Sequence, residues 1–371
     1  MKRIFFIFAA FFVTFATMAQ QTAPQQYSVR YLKEHLLLQK GDEVNVVDVN
    51  LEWPEVLDFS QVEVLKQHLA RTAFALPDGG DFETDYERFK SHYGQPVTKQ
   101  FEVVPDDKKF CYIDVSVTLL GRLEHRFAAF EVRRTVQPEA LSSQKADTIN
   151  QLVTIDLQNN RILLRDNILK ASQMSHITYD GRDVLLLPME TEEFPDMMIE
   201  DACLLDENRV LTKVGLFTDE GVKHLFAIAE REDLGSLLVK DVRRLMTSQP
   251  KTADVNFDNQ ENMETLNGEP IYNNVEERPR PNLREGTTLP QFLQANASEP
   301  KYLFEQERHG RVVVSFVVSK TGEMSDFRVR QPLTAAADRE AVRILRQLPQ
   351  WTPATIGGQA VNCRNNIVLK F

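Results

Sequence analysis

The residue types that carry covalent chemistry are present but scattered. Histidines stand at positions 35, 68, 92, 125, 176, 224 and 309, without the spacing that lets two share a metal ion or activate a nucleophile. The acidic pairs Asp106-Asp107 and Glu192-Glu193 fall in loop-like stretches, where carboxylates are solvated surface. No Gly-x-Ser-x-Gly, His-Glu-x-x-His, Cys-x-x-Cys, P-loop or dinucleotide fingerprint occurs. Cys111, Cys203 and Cys363 lie in apolar strand runs and read as small core residues. The expectation is a protein with no catalytic residues, no metal and no cofactor. What remains with chemical reach lies near the C-terminus: Arg328 and Arg330 on one strand, and Asn362, Arg364, Asn365 and Asn366 on another. Their chemistry is hydrogen bonding and charge, which serves binding.

The elements that position those groups form a compact unit over residues 310–371. Val312, Val314, Phe316 and Val318 share one face of a strand, Thr321-Gly322 turns the chain, and Phe327 and Val329 alternate in a second strand. Ala337, Ala341, Ile344, Leu345 and Leu348 then follow helical spacing. Trp351 and Pro353 close that helix, and Gly357-Gly358 turns into a last strand carrying Val361, Cys363, Ile367, Leu369 and Phe371 on one parity. Periods of 2, 3.6 and 2 read as β-β-α-β, with the helix laid across the sheet. A small sheet of this kind leaves edges whose backbone groups can pair with an extended segment of another chain.

Those motifs together resemble the C-terminal domain of TonB, the energy transducer of Gram-negative bacteria, in the form common among Bacteroidetes. The residues that carry the resemblance are Gly310-Arg-Val-Val-Val-x-Phe-Val-Val, Thr321-Gly322, Asp338-x-Glu340-Ala341, Leu348-Pro349-x-Trp351-x-Pro353, and Gly357-Gly358-x-x-Val361 through Phe371. Upstream, Val275-Glu-Glu-x-Pro279 and the short helical stretch 289–296 also fit, so the likeness covers about residues 272–371. It implies that the last strand, through Asn362, Arg364, Asn365, Asn366, Ile367 and Leu369, receives a short peptide of an outer-membrane transporter. Arg328 and Arg330 would then attract an acidic partner segment. Trp351, Pro353, Gly357 and Gly358 would have the structural duty of forming the helix-to-strand corner. Proline cannot join a ladder, so a Pro at Ile367 is expected to abolish capture.

The rest of the chain qualifies that picture. Met1-Lys2-Arg3, an apolar run over 4–15 and small residues to Ala19 have the form of a secretory signal peptide, 1–19, with an uncleaved anchor as the alternative. Residues 25–246 read as an acidic, mainly antiparallel α+β domain: hairpins, a helix with capping-box spacing at Ser60 and Glu63, and an aromatic helix through Phe82, Tyr86, Phe89 and Tyr93. Their layout faintly resembles exported α+β domains of lysozyme-sensing anti-sigma proteins. Residues 247–282, rich in Asn, Glu, Pro and Thr, read as a linker, and 283–371 as the TonB-like domain. The net charge of −11 argues against nucleic acid as a partner. The expectation is therefore an exported periplasmic or envelope protein that binds an outer-membrane receptor or another envelope protein. The alternatives are an anchored energy transducer that contacts inner-membrane motor proteins, and an envelope enzyme or wall-binding protein that uses the tail for targeting.

Overall fold

The computed structural model describes residues 27–58, 60–97, 109–138, 146–179, 181–186, 197–218, 221–247, 264–266, 268–297 and 310–371. The segment with the form of a signal peptide lies outside these. No helix among the described residues is long and apolar enough to cross a membrane. The architecture is mixed α+β and dominated by strands.

The N-terminal region opens with β1 (Tyr27–Lys40) and β2 (Glu43–Leu57), a long hairpin around Gly41. The sequence suggests a bulge near Val46-Val47 and an end at Pro54. The irregularity instead falls at Ser28/Val29, opposite Pro54, and β2 runs on to Leu57. A bulge is one of the few places where a sheet tolerates a residue without an N–H donor. Helix α1 (Glu63–Ala73) follows, but not through a capping box: its N-cap is Val62 in a left-handed conformation, and Ser60 Oγ accepts only from Val62 N at 3.3 Å. Helix α2 (Phe82–Tyr93) starts at Asp81, whose carboxylate accepts from Thr84 N, and ends at Gly94. Its aromatic stripe is core: Trp53 stacks on Phe74 and meets Phe82, and Tyr86 and Phe89 continue the cluster.

Strands β3 (Gln95–Pro96), β4 (Lys109–Leu123), β5 (Phe127–Pro138), β6 (Asp147–Asp156) and β7 (Arg161–Leu163) extend the sheet. The β2–β4 pairing is parallel, and the other pairings along this part are antiparallel. After a one-turn helix, α3 (Arg165–Ile168), a second, five-stranded sheet forms from β8 (Ser175–Tyr179), β9 (Arg182–Leu186), β10 (Met197–Leu204), β11 (Arg209–Thr218) and β12 (Gly221–Glu230). The spacing of Leu234, Leu237/Leu238, Val242 and Leu245 suggests one closing helix; it is broken at Gly235 into α4 (Arg231–Leu234) and α5 (Lys240–Thr247).

The polar stretch that reads as a linker contains β13 (Thr265–Leu266), β14 (Glu269–Tyr272) and β15 (Arg280–Pro281) among its described residues. Then come α6 (Leu289–Asn296), β16 (Arg311–Val318), β17 (Met324–Gln331), α7 (Ala335–Leu345), β18 (Trp351–Thr352), β19 (Ala354–Ile356) and β20 (Gln359–Lys370). The last 62 residues thus fold as the β-β-α-β unit that their periodicity predicts, with β18 and β19 as short additions at the corner.

Where the sequence suggests two bodies joined by a linker, the strands form one sheet. Its order is β13-β14-β20-β16-β17-β1-β2-β4-β5-β6-β7. The join is β17 against β1, antiparallel, with Val29 opposite Val329, Arg30 opposite Arg328 and Tyr31 opposite Phe327. One hydrophobic core runs under both parts, from Tyr31, Val47 and Trp53 to Val314, Phe316 and Leu369. Sequence periodicity assigns strands their faces but not their neighbours, so a pairing between residues about 300 apart leaves no local trace.

Candidate partner-binding edge

The C-terminal unit offers two sheet edges, and the structure treats them differently. The β17 edge is consumed by β1. Arg30 and Arg328 stand directly opposite each other, a pairing that is unfavourable without counter-charge. Counter-charge is supplied from four parts of the chain. Glu55 takes Arg30 Nε at 2.9 Å and Ser28 Oγ at 2.6 Å, and Glu83 also contacts Arg30. Asp326 receives Arg328 Nη2 at 2.9 Å and Arg364 Nη2 at 2.6 Å. Glu264 receives Arg364 Nε and Arg328 Nη1, both at 2.8 Å. Arg330 donates to Ser28 Oγ at 3.2 Å. Burial opposes ionisation of Asp326, yet Arg328, Arg30 and Arg364 outweigh it and hold that carboxyl well below the usual carboxylate range. Glu55 and Glu264 are held down in the same way by the arginines around them. Arg330, half-buried and facing other arginines, is pulled down to about 10 by desolvation and by Arg328.

On the opposite face of the same join the polar groups are poorly balanced. Helix α7 starts at Thr334, which accepts from Ala337 N, and Asp338 reaches back to accept from Leu333 N at 2.9 Å. Asp338 Oδ2 and the Tyr31 hydroxyl are buried without a hydrogen bond among the described residues. Burial pushes the Asp338 carboxyl up to about 7, against the pull of the Leu333 N–H. Glu52 is buried nearby and also raised, although Arg339 Nη1 (3.2 Å) and Leu119 N (2.8 Å) bind it.

The second edge belongs to β20. Its inner side pairs with β16 throughout, from Arg311 opposite Lys370 to Val318 opposite Cys363. Beyond β16 on that same side, β19 pairs with Gln359 to Val361. The outer side is partly covered, by β14 in parallel at Asn362 and Cys363. From Asn365 to Lys370 no strand pairs with that outer side among the described residues. Phe371 and Gly310 exchange both backbone hydrogen bonds at 3.0 Å. Alternation along the ladder therefore turns Asn365, Ile367 and Leu369 toward β16, and aims the N–H and C=O of Asn366, Val368 and Lys370 outward. The Asn366 N–H is met by its neighbour's Asn365 Oδ1 at 3.1 Å. Val368, 51% exposed, marks the centre of the open stretch.

The residues expected from sequence to receive a partner divide accordingly. Asn365 and Asn366 lie on the open stretch; Ile367 and Leu369 lie on it too, but with buried side chains that belong to the core. Asn362 is buried, accepts from Lys320 N at 2.9 Å, and is already paired with Ile271. Arg364, Arg328 and Arg330 do not face outward as free attractants. They are the cationic half of the buried cluster, and Arg364 is only 8% exposed. Ile367 directs its N–H into the β16 ladder, so a Pro there would damage the sheet itself. Val368 is the position where Pro removes an outward donor alone. Trp351 is buried with its ring edge-to-face with Phe316, and its backbone N–H donates to Gly322 O at 2.9 Å. A Cβ at Gly322 would come within 2.0 Å of the Trp351 carbonyl oxygen, which explains the glycine. Pro353 links β18 to β19, and Gly357-Gly358, both at positive φ, make the two-residue turn from β19 to β20.

The geometry can be set against known proteins. Residues 300–371 match the family of the Gram-negative bacterial TonB protein C-terminal. The matched segment contains β16, β17, α7 and β20, and supports a TonB-like envelope protein. Among solved structures, the chain is similar to a member of the DUF3298 family from Bacteroides fragilis at 12% identity and a TM-score of 0.36, covering 60% of this chain and 96% of that one. No curated protein matches.

Sequence reasoning missed the acidic partners of the arginines. Asp326 shares strand parity with Arg328 and Arg330, a signal that could have placed it beside them. Glu264 sits in a stretch whose composition resembles a linker, and no local signal links it to Arg364.

Proposed function

We propose that the C-terminal unit holds an extended segment of an outer-membrane receptor, or of another envelope protein, as an added strand along residues 365–370 of β20. The observation that carries this reading is the open outer side of β20, within a segment that matches the TonB C-terminal family. Outward backbone groups at Asn366, Val368 and Lys370 provide the ladder, and Val368 offers an apolar contact beside polar neighbours. The N-terminal region serves as a support that occupies the β17 edge, so that β20 presents the free side of the unit. Titrating the full chain with synthetic peptides of receptor N-terminal plug segments tests this, with binding at millimolar concentration or better expected. Absence of binding by every peptide overturns it. Export and the fate of residues 1–19 belong to the same proposal: N-terminal sequencing of soluble and membrane fractions should find a chain that begins near Gln20. An intact chain in the inner membrane would favour an anchored transducer instead.

A further inference from the structure

The outer side of β20 is not wholly open, and what covers its first half comes from the chain itself. Residues 264–272 form a short hairpin in which Thr265 lies opposite Pro270 and Leu266 opposite Glu269. The hairpin is laid on β20 through only two residue pairs, Ile271 with Asn362 and Tyr272 with Cys363. Among the described residues of the hairpin Ile271 is the one buried side chain, at 8% exposure. Its strongest other attachments are ionic. Glu264 grips Arg364 and Arg328, and Glu269 takes Lys320 Nζ at 2.6 Å. A two-pair parallel contact is a weak strand addition, and the exposed Lys320–Glu269 pair adds little. Glu264 is therefore the main clasp, because it binds two guanidinium groups that are nearly buried.

The hairpin lies where an incoming strand must pass if it is to use the whole of β20. The open stretch, 365–370, offers three outward-facing residues, and removing the hairpin adds Asn362 and Arg364 to the same row. We propose that residues 264–272 act as an intramolecular competitor for the β20 edge. The hairpin is a strap that shortens the site at rest and gives way to a longer partner strand. This inference rests on the proposed function, of which it is the regulation. It also gives the buried arginine cluster a part in that regulation, since releasing Glu264 leaves Arg364 and Arg328 with Asp326 and Glu55 as counter-charges.

The test uses the full chain, the receptor plug peptides, and a synthetic nonapeptide of residues 264–272. Two variants release the strap by different routes: Glu264→Gln removes the clasp, and Ile271→Asp puts a charge in its buried slot. Hydrogen exchange should become faster across 264–272 in both, while β16 and β20 stay protected, which shows that the sheet is intact. Receptor-peptide affinity should then rise at least fivefold, and the nonapeptide should compete with the receptor peptide on either variant. Faster exchange in the strap with unchanged or weaker peptide affinity overturns the inference and leaves the proposed function standing. Slow exchange retained in both variants also overturns it, since the hairpin would then be a fixed wall. If neither wild type nor variants bind any receptor peptide, the proposed function fails first.

Discussion

The two edges of the C-terminal unit show how a sheet can close one side and keep the other. At β17 the backbone ladder to β1 is only three residue pairs long. It is backed on one face by a cluster in which Arg30, Arg328 and Arg364 are met by carboxylates from four parts of the chain, and it shares a continuous apolar core with the rest of the sheet. At β20 the outer ladder is two pairs long toward β14, and the side chains beyond it are mostly polar. Backbone pairing alone does not separate the closed edge from the open one. Desolvated charge pairs and shared core do, and they make β17 part of the fold while β20 stays available.

Removing charge from the closed edge should have the largest effect on stability. Asp326 adopts positive φ, a conformation that Asn tolerates, so Asp326→Asn changes charge with little backbone strain. Losing one member of this buried network should cost about 3 kcal/mol in urea denaturation. Acid should act in the same direction. Asp326, Glu55 and Glu264 are held low in the fold, so the stability they contribute is present above about pH 4 and is lost as pH falls below it.

The other face of the join has the opposite sign. Asp338, pushed up to about 7, keeps its proton in the fold while the unfolded chain ionises near pH 4. The fold therefore binds more protons than the unfolded chain between these values, and stability declines from about pH 4 to pH 7 and then levels. Asp338→Asn keeps the acceptor for Leu333 N and removes the titration. It should raise stability by about 1–2 kcal/mol at pH 8 and leave it nearly unchanged at pH 4. A stability-against-pH curve for wild type and variant checks the sign directly, and a variant that is less stable at pH 8 contradicts it.

At the open edge the expected effect on stability is smallest. Val368→Pro removes a donor that faces outward, so unfolding should shift by less than about 1 kcal/mol. The same change at Ile367 should weaken the sheet itself, and comparing the two by urea denaturation sharpens the assignment of inward and outward residues.

Much of this was legible in the sequence because it is local. The parity of Val312 to Val318, of Phe327 and Val329, and of Ile367 and Leu369, together with the Gly357-Gly358 turn, fixes the C-terminal unit. The aromatic stripe of α2 was legible for the same reason. What could not be read is long-range. The union of β1 with β17, and the delivery of Glu264 and Glu55 to arginines far along the chain, depend on which strands become neighbours. The Ser60/Glu63 capping box failed because Val62 adopts a left-handed turn that starts the helix later. The apparent linker misled by composition: three short strands, in which Ile271 is the one buried side chain, have too little apolar pattern to register.

The central claim is that β20 receives a partner strand along its outer side. The most direct measurement is receptor-peptide binding by full-length wild type and Val368→Pro, read alongside hydrogen exchange of β20. The account predicts that peptide slows exchange at Asn366, Val368 and Lys370 in the wild type, and that Val368→Pro keeps its fold but loses binding at least tenfold. A folded Val368→Pro chain that binds as tightly as wild type would contradict it.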